Sequence, residues 1–391
     1  MSGATCPVCG GGRVVETVRR ERLPAMQNYV HRTRDSALSA AEGSLLLAVC
    51  RTCGFAWNRR FDPGRLVYDD NYDNAVPSAV MAGYYREIAS YLVDRHDPGD
   101  GLVVDVGCGN GAFLRTILEQ APDARGLGMD PALEADRAEG RLTLVKDDFS
   151  PGLVDERPAL LVSRHVLEHI PQPAEFLRLV SSAAARLGPF PCFFEVPDLE
   201  WIAGHETFWD FCYEHCNYFT AASFTRLLCG SGFEPTGSRR AFGGQYLWLE
   251  ADATGGAVRA AADDGDATAE HLLRYAEKES ARIAAAREFL RRTRDAGAAT
   301  VVWGMATKGV MFTLLTDPDA SLVDVCVDVN ANKQGCFVPL TGHPIEAPEA
   351  LRSLERPPTV LVMNENYREE IERACAELGV DATFASASQT I

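Results

Sequence analysis

Residues 103–114 read VVDVGCGNGAFL, and this run constrains the fold more than any other. A stretch of apolar residues carries an acid, Asp105, near its end. A glycine-rich turn follows, Gly107-Cys108-Gly109-Asn110-Gly111, and a helical pattern opens at Ala112 with Phe113 inside it. Bare glycines between a strand and a helix let the backbone approach a ligand at the mouth of a parallel sheet, beside a helix N-terminus. The G-x-G-x-G spacing is tighter than the G-x-G-x-x-G of dinucleotide folds. Alone it is a weak signal, because many strand-to-helix turns are glycine-rich. Three further runs at suitable distances strengthen it.

The next apolar run, GLGM, ends in Asp130, an acid able to accept hydrogen bonds from a ribose diol. Residues 142–149 read LTLVKDDF. Asp147 or Asp148 can reach an adenine amine there, and Phe149 can pack on a flat ring. A fourth run, ALLVS at 159–163, leads into RHVLEHI at 164–170 and sets Arg164 and His165 at the same sheet edge. Motif by motif, this series resembles the S-adenosylmethionine (SAM)-dependent methyltransferases. The resemblance implies an α/β fold built on a class I Rossmann-like domain, with SAM as cofactor. It implies cofactor contacts from Asp105, Gly107, Cys108, Gly109, Asn110, Gly111, Phe113, Asp130, Asp147, Asp148, Phe149, Arg164 and His165. An ordinary Rossmann-like domain with surface acids at its strand ends is the alternative.

At 391 residues the chain exceeds one typical domain. No apolar run approaches the roughly 20 residues of a membrane span, and no leader-like N-terminus is visible. A cytoplasmic protein without a membrane partner is therefore expected. The formal charge of −17 repels nucleic acid, so a small-molecule substrate is the expected partner. A monomer is the favoured assembly.

Four of the twelve cysteines form two C-x-x-C-G knuckles, Cys6 with Cys9 and Cys50 with Cys53. The spacing between the knuckles is longer than usual, so an inserted loop is implied. Four thiolates fill a tetrahedron and leave no open position, which predicts a structural Zn²⁺.

The expected organisation is a zinc-binding module (1–60), a bridging segment (61–98), a methyltransferase domain (99–251), a linker (252–269) rich in Ala, Gly and Asp, and a C-terminal Rossmann-like domain (270–391). A long helix is expected over about 268–296, stopped by Gly297. Apolar runs at 300–304, 323–328 and 359–363 predict a second parallel layer. In that layer the turn at 304–309, GMATKG, is an incomplete phosphate-loop pattern; Lys308 is expected to help bind an anionic substrate.

The segment 208–219, FWDFCYEHCNYF, gathers a histidine, acids, phenols and an amide among rings that exclude water. His suits base chemistry near neutral pH; a buried core histidine in an aromatic loop is the plainer reading. The whole chain resembles the nucleotide-sugar C-methyltransferases, which methylate C-3 of 4-keto deoxysugars. The likeness rests on the paired knuckles, the glycine loop, H-V-L-E-H, E-V-P at 195–197, E-H-x-x-Y-F at 214–219 and F-G-G at 242–244. It continues with Lys308-Gly309, D-x-N-x-x-K-Q-G at 328–335 and N-x-N-Y at 364–367.

The resemblance implies His215 as general base, with Glu214, Tyr213, His169 and Tyr72 as the remaining catalytic groups and a nucleotide-sugar acceptor. Two departures stand out. Cys212-Tyr213 replaces the family's Tyr-His, and Gly243-Gly244-Gln245 replaces Gly-Gly-Ser. The competing functions are O- or N-methylation of another metabolite, and a zinc-knuckle binding protein carrying a degenerate methyltransferase domain.

Overall fold

The computed structural model describes residues 4–69, 71–256 and 265–390. Three sheets organise them. In the first, β1 (Val14–Pro24), β2 (Glu42–Cys50) and β3 (Ala56–Asn58) pair antiparallel. Its fourth strand, Asn217–Tyr218, arrives from far along the chain and pairs with Ala56 and Trp57. The module expected at 1–60 therefore does not close on itself.

The second sheet follows α1 (Ala79–His96), whose N-cap Ser78 accepts from the Met81 amide. Its elements are β4 (Leu102–Val106), α2 (Ala112–Gln120), β5 (Arg125–Met129), β6 (Arg137–Glu139), β7 (Leu142–Val145), β8 (Pro158–Arg164), α3 (Pro173–Leu187) and β9 (Phe190–Pro197). After β10 (Asn217–Tyr218) come α4 (Ala221–Gly230), β11 (Phe233–Ala241) and β12 (Tyr246–Ala253). The strand order is β11-β12-β9-β8-β4-β5-β7-β6. The five central strands are parallel and the order reverses between β4 and β8, which opens a ligand crevice at their carboxyl ends. β4, LVVDV, is buried throughout, as a strand covered on both faces must be. On α2 the buried stripe is Phe113, Leu114, Ile117 and Leu118.

The third sheet begins after α5 (Gly265–Asp295). It holds β13 (Ala299–Trp303), α6 (Thr307–Thr316), β14 (Val325–Val327), β15 (Ile345–Glu346), β16 (Pro358–Val362), α7 (Arg368–Glu377) and β17 (Thr383–Ser386). All five strands are parallel, in the order β15-β14-β13-β16-β17. The three expected apolar runs are its centre; the edge strands β15 and β17 carried no comparable pattern. β12 extends through residues 252–253 of the expected linker, and residues 257–264 of that linker lie outside the described residues.

Two hydrophobic cores tie the parts together. One joins the first sheet, residues 199–218, α5 and a face of the third sheet. The other packs Cys6, Cys50, Cys53 and Phe55 against a face of the second sheet. Among the described residues no helix is long and apolar enough to cross a membrane.

Candidate active site

The glycine loop has the conformation its sequence predicts. Gly107, Gly109 and Gly111 lie at φ 76°, 54° and 82°, where a side chain is strained. A Cβ at Gly107 would stand 2.2 Å from Val166 Cγ2, so the loop packs directly on the H-V-L-E-H turn. A Cβ at Gly109 would meet open space, which leaves that side of the loop free for a ligand. Asp130 follows β5; its Oδ2 accepts from the Gly109 amide (2.8 Å) and its Oδ1 from the Ala132 amide (2.8 Å). Asp105 is buried at the end of β4, and burial raises its pKa to about 7 against the opposing charge of Arg164. Asp147 and Asp148 are both exposed just beyond β7. The glycine loop, Asp130, Asp147 and Asp148 thus follow neighbouring parallel strands at one edge of the sheet, and this donor and acceptor set fits SAM.

Six of the expected cofactor contacts have their side chains engaged elsewhere. Phe113 is buried on α2 beneath the Arg164 guanidinium, which lies 4.3 Å from its ring centre and 4.6 Å from that of Tyr85. Arg164 itself donates to Glu195 Oε1 at 3.2 and 2.7 Å. The His165 ring sits between Glu195 Oε1 (2.9 Å) and Glu168 Oε1 (3.3 Å). Phe149 is a core residue set edge-on to Phe176. Cys108 is buried against Gly128. Asn110 caps α2, its Oδ1 accepting from the Ala112 amide at 3.1 Å.

Glu195 is fully buried and collects Tyr84, Trp248, Arg164 and His165. Burial opposes its ionisation, but Arg164 and His165 win and hold it at about 2. Burial likewise opposes charge on His165, yet the hydrogen bonds to Glu168 and Glu195 lift it to about 9. The imidazolium is therefore the resident form at neutral pH, and it neutralises the two carboxylates flanking it.

Loop 208–219 is fixed from several sides. Arg20 donates to the carbonyls of Phe211 (2.6 Å) and Phe208 (2.8 Å). Lys308 Nζ meets Asp210 Oδ1 at 2.5 Å, so its expected role toward an anion gives way to an ion pair. Asn217 Nδ2 donates to Leu167 O (2.9 Å) and Ile170 O (2.6 Å), and its own amide donates to Glu168 O (3.1 Å). These bonds clamp the loop onto the H-V-L-E-H turn, and the two histidines meet there.

His169 Nδ1 lies 3.1 Å from the Glu214 carbonyl oxygen. A carbonyl only accepts, so Nδ1 carries a proton. The His169 and His215 rings are 4.9 Å apart and nearly perpendicular. His215 Nδ1 and Glu168 Oε2 are both buried, and neither has a hydrogen-bond partner among the described residues. Ligating atoms of Glu168, His169 and His215 lie within 4.8 Å of one another. Burial, followed by the neighbouring His169, pushes the His215 pKa down to about 3, while the Glu168 charge pulls it back up. His215 is consequently neutral at physiological pH, with Glu168 placed to stabilise its protonated form.

Glu214, only 1% exposed, accepts the Tyr72 hydroxyl at 2.7 Å on Oε1, and the Tyr68 hydroxyl stands 3.5 Å from the same oxygen. Burial and the Glu214 charge hold both phenols above their usual pKa. Tyr72 thus joins His169, His215 and Glu214 as expected, whereas Tyr213 does not. Its ring packs on Gly43, where a Cβ would come within 2.3 Å. Its hydroxyl accepts from the Asp62 amide (2.8 Å) and donates to the Asp62 carbonyl (3.2 Å). Tyr213 braces the first sheet instead of facing the cluster. Sequence reasoning missed Glu168, which stands inside H-V-L-E-H, and Tyr68, which lies in the bridging segment.

The four knuckle cysteines converge. Cys6 and Cys53 sulfurs are 3.6 Å apart, as are those of Cys9 and Cys50. A zinc tetrahedron with ~2.3 Å bonds has edges of about 3.8 Å, so the donor set fits Zn²⁺. The Val8 and Thr52 amides point at Cys6 and Cys50 sulfur (3.4 Å each), as in a metal knuckle.

Residues 80–237 match the family described as a methyltransferase domain, and residues 254–383 match the C-methyltransferase C-terminal domain. The C-methyltransferase NovU of Streptomyces niveus is 26% identical over 386 residues, covering 94% of this chain and 90% of that one. Two solved structures are similar in part. The 1,6-didemethyltoxoflavin-N1-methyltransferase of Burkholderia thailandensis shares 19% identity at a TM-score of 0.33, over 44% of this chain and 78% of that one. The magnesium protoporphyrin IX methyltransferase of Synechocystis PCC 6803 shares 16% identity at a TM-score of 0.34, over 46% of this chain and 90% of that one. With a methyltransferase domain and a C-methyltransferase C-terminal domain matched in one polypeptide, the chain is a SAM-dependent methyltransferase similar along its length to a C-methyltransferase.

Proposed function

We propose that the protein methylates the carbon beside the ketone of a nucleotide-linked keto deoxysugar. The observation that carries this reading is the buried, neutral His215 imidazole. It stands beside Glu168 and His169 on a turn that packs against the glycine loop. Transfer to oxygen or nitrogen needs little beyond positioning, whereas transfer to carbon first needs a C–H bond broken by a base. A neutral imidazole backed by a carboxylate is built for that step.

SAM would be held by Asp105, loop 107–111, Asp130 and Asp147 or Asp148, and when bound it supplies a sulfonium-activated methyl group. His215 takes the proton α to the ketone, and the C–H electron pair moves into an enolate. Glu168 stabilises the resulting imidazolium. The enolate oxygen needs a hydrogen-bond donor. Tyr72 gives its single proton to Glu214, and His169 gives its Nδ1 proton to the Glu214 carbonyl. Tyr68 remains, its hydroxyl only loosely engaged at 3.5 Å. Glu214, lying between the two phenols, orients the acceptor's hydroxyls. The nucleophilic carbon then takes the methyl group, leaving S-adenosylhomocysteine.

His215→Ala is expected to bind SAM normally by calorimetry and to form no methylated product from a TDP-4-keto-6-deoxyhexose. Undiminished turnover would refute the base assignment. Solvent deuterium tests the acceptor atom: active enzyme exchanges the α-proton of a carbon acceptor, and an oxygen or nitrogen acceptor shows no such exchange.

A further inference from the structure

His165 stands one residue beyond β8 at φ 55°, a backbone conformation uncommon for a residue with a Cβ. Its ring lies between two buried carboxylates, with Nε2 2.9 Å from Glu195 Oε1 and Nδ1 3.3 Å from Glu168 Oε1. Its own amide donates to the Glu195 carbonyl at 2.9 Å. An ionised carboxylate only accepts, so both ring nitrogens donate and the ring is a cation. Glu195 is held on its other side by Arg164 at 2.7 Å. Arg164, Glu195, His165 and Glu168 therefore alternate in charge and balance one another.

The far end of this series is open. Glu168 Oε2 is buried without a hydrogen-bond partner among the described residues, and so is His215 Nδ1. A carboxylate oxygen of Glu168 and a ring nitrogen of His215 lie within 4.8 Å of each other. The other titratable groups around Glu168 are His169, on its own turn, and Cys216, on loop 208–219. Tyr246 of β12 faces His165 edge-on, with ring centres 4.5 Å apart. Of these groups only His165 bonds the Glu168 carboxylate. A carboxylate that is 1% exposed keeps its charge only where a cation answers it. We propose that His165 is a positioning residue for the base: it holds Glu168 ionised through Oε1 and so reserves Oε2 for the imidazolium that His215 becomes. His165, which the resemblance assigns to the cofactor, thereby serves proton transfer instead.

The proposal rests on His215 as the base, and its test separates the two. In His165→Gln a neutral amide replaces the cation, and burial then raises the Glu168 pKa. Glu168 takes up a proton as the pH falls and no longer stabilises the imidazolium. Turnover of a TDP-4-keto-6-deoxyhexose by His165→Gln, relative to wild type, is expected to fall roughly tenfold or more between pH 8.5 and pH 6, the loss of one hydrogen bond to a charged group. Glu168→Gln should lose a similar factor at every pH, and the double variant should match Glu168→Gln. SAM affinity should be unchanged in all three. A merely structural His165 would lower turnover by the same factor at each pH. A ratio independent of pH in His165→Gln, or multiplied losses in the double variant, would overturn the proposal. Full-length protein carrying [¹³Cδ]glutamate, with Glu168 assigned from Glu168→Gln, reads the carboxyl without any substrate. In wild type it should be ionised at pH 6, because the His165 hydrogen bond outweighs burial and holds its pKa below the usual carboxylate value. In His165→Gln it should take up its proton at higher pH. Should His165→Gln not fold, wild type decides: a Glu168 carboxyl protonated at pH 6 overturns the proposal. Should wild type not turn over the sugar while the Glu168 resonance still follows His165, the acceptor and base assignments fail and the hold of His165 on Glu168 stands.

Discussion

Two tyrosines exchange roles between sequence and structure. Tyr213 is adjacent to Glu214, yet its ring lies on Gly43 and its hydroxyl on the Asp62 backbone, while Tyr68 arrives from the bridging segment. Tyr68→Phe is expected to lower kcat by about 10²-fold, as loss of an oxyanion donor does. Tyr213→Phe should lower the melting temperature and leave kcat within about twofold, the cost of unsatisfied Asp62 backbone groups. Steady-state kinetics and thermal melts of the pair check both. His165 sets a separate pH signature. Its folded-state pKa of about 9 exceeds the ordinary 6.5, so its stabilising contribution is fully present below about 6.5 and disappears as pH rises through 9. Melts from pH 6 to 9.5 should show wild type losing more than His165→Gln. The sequence made the histidines and acids of this site legible because they cluster in short motifs. It could not say which phenol reaches Glu214, because neighbouring side chains in an irregular loop diverge and only tertiary packing chooses between them.

Among the elements, α5 shows how a weak local signal is overridden. Gly265 is its first described residue, three residues before the start that the sequence places. Contact calls for a glycine here: a Cβ at Gly265 would lie 2.4 Å from Gly54 N and 2.6 Å from Cys50 O. This end of the helix therefore packs on the second cysteine knuckle, and Asp266 pairs with Arg13 (2.7 Å) and Arg51 (2.9 Å). Gly265→Ala should lower the melting temperature by several degrees, equivalent to about 1–3 kcal/mol of overpacking. Removing the metal with a chelator should have a similar effect on wild type, and little further effect on the variant. Scanning calorimetry with metal analysis checks this. The strands of the two parallel layers were legible because runs such as VVDV and TVVW are mostly apolar and β-branched. The edge strands β6, β15 and β17 are short and half-polar, and pairing alone defines them.

At the scale of the molecule, the carboxyl ends of the third sheet meet the elements around the cleft. Asn364 and Gln245 exchange amide hydrogen bonds at 2.7 and 3.0 Å, and Asn366 Nδ2 donates to Phe242 O at 2.9 Å. Asn330 and Asn332 reach Ala75 O (3.2 Å) and Asp73 Oδ2 (2.7 Å). Lys308 closes the same seam on Asp210, whose other carboxylate oxygen has no partner among the described residues. Lys308→Ala should destabilise the protein by about 2 kcal/mol by leaving a largely buried carboxylate unpaired. Adding Asp210→Asn should recover part of that loss in urea unfolding. The sequence marked the apolar runs at the centre of each parallel layer, but not this seam, because single asparagines and glutamines carry no periodic signal.

The strand that completes the first sheet has a consequence for how the polypeptide matures. β3 emerges from the ribosome roughly 160 residues before Asn217 and Tyr218. At about 5–20 residues per second, the nascent chain waits on the order of ten seconds with one β-edge bare. The cysteine knuckles can take up their ion long before then. Early metal capture would hold the unfinished edge in register until translation delivers the segment that also bears the proposed base.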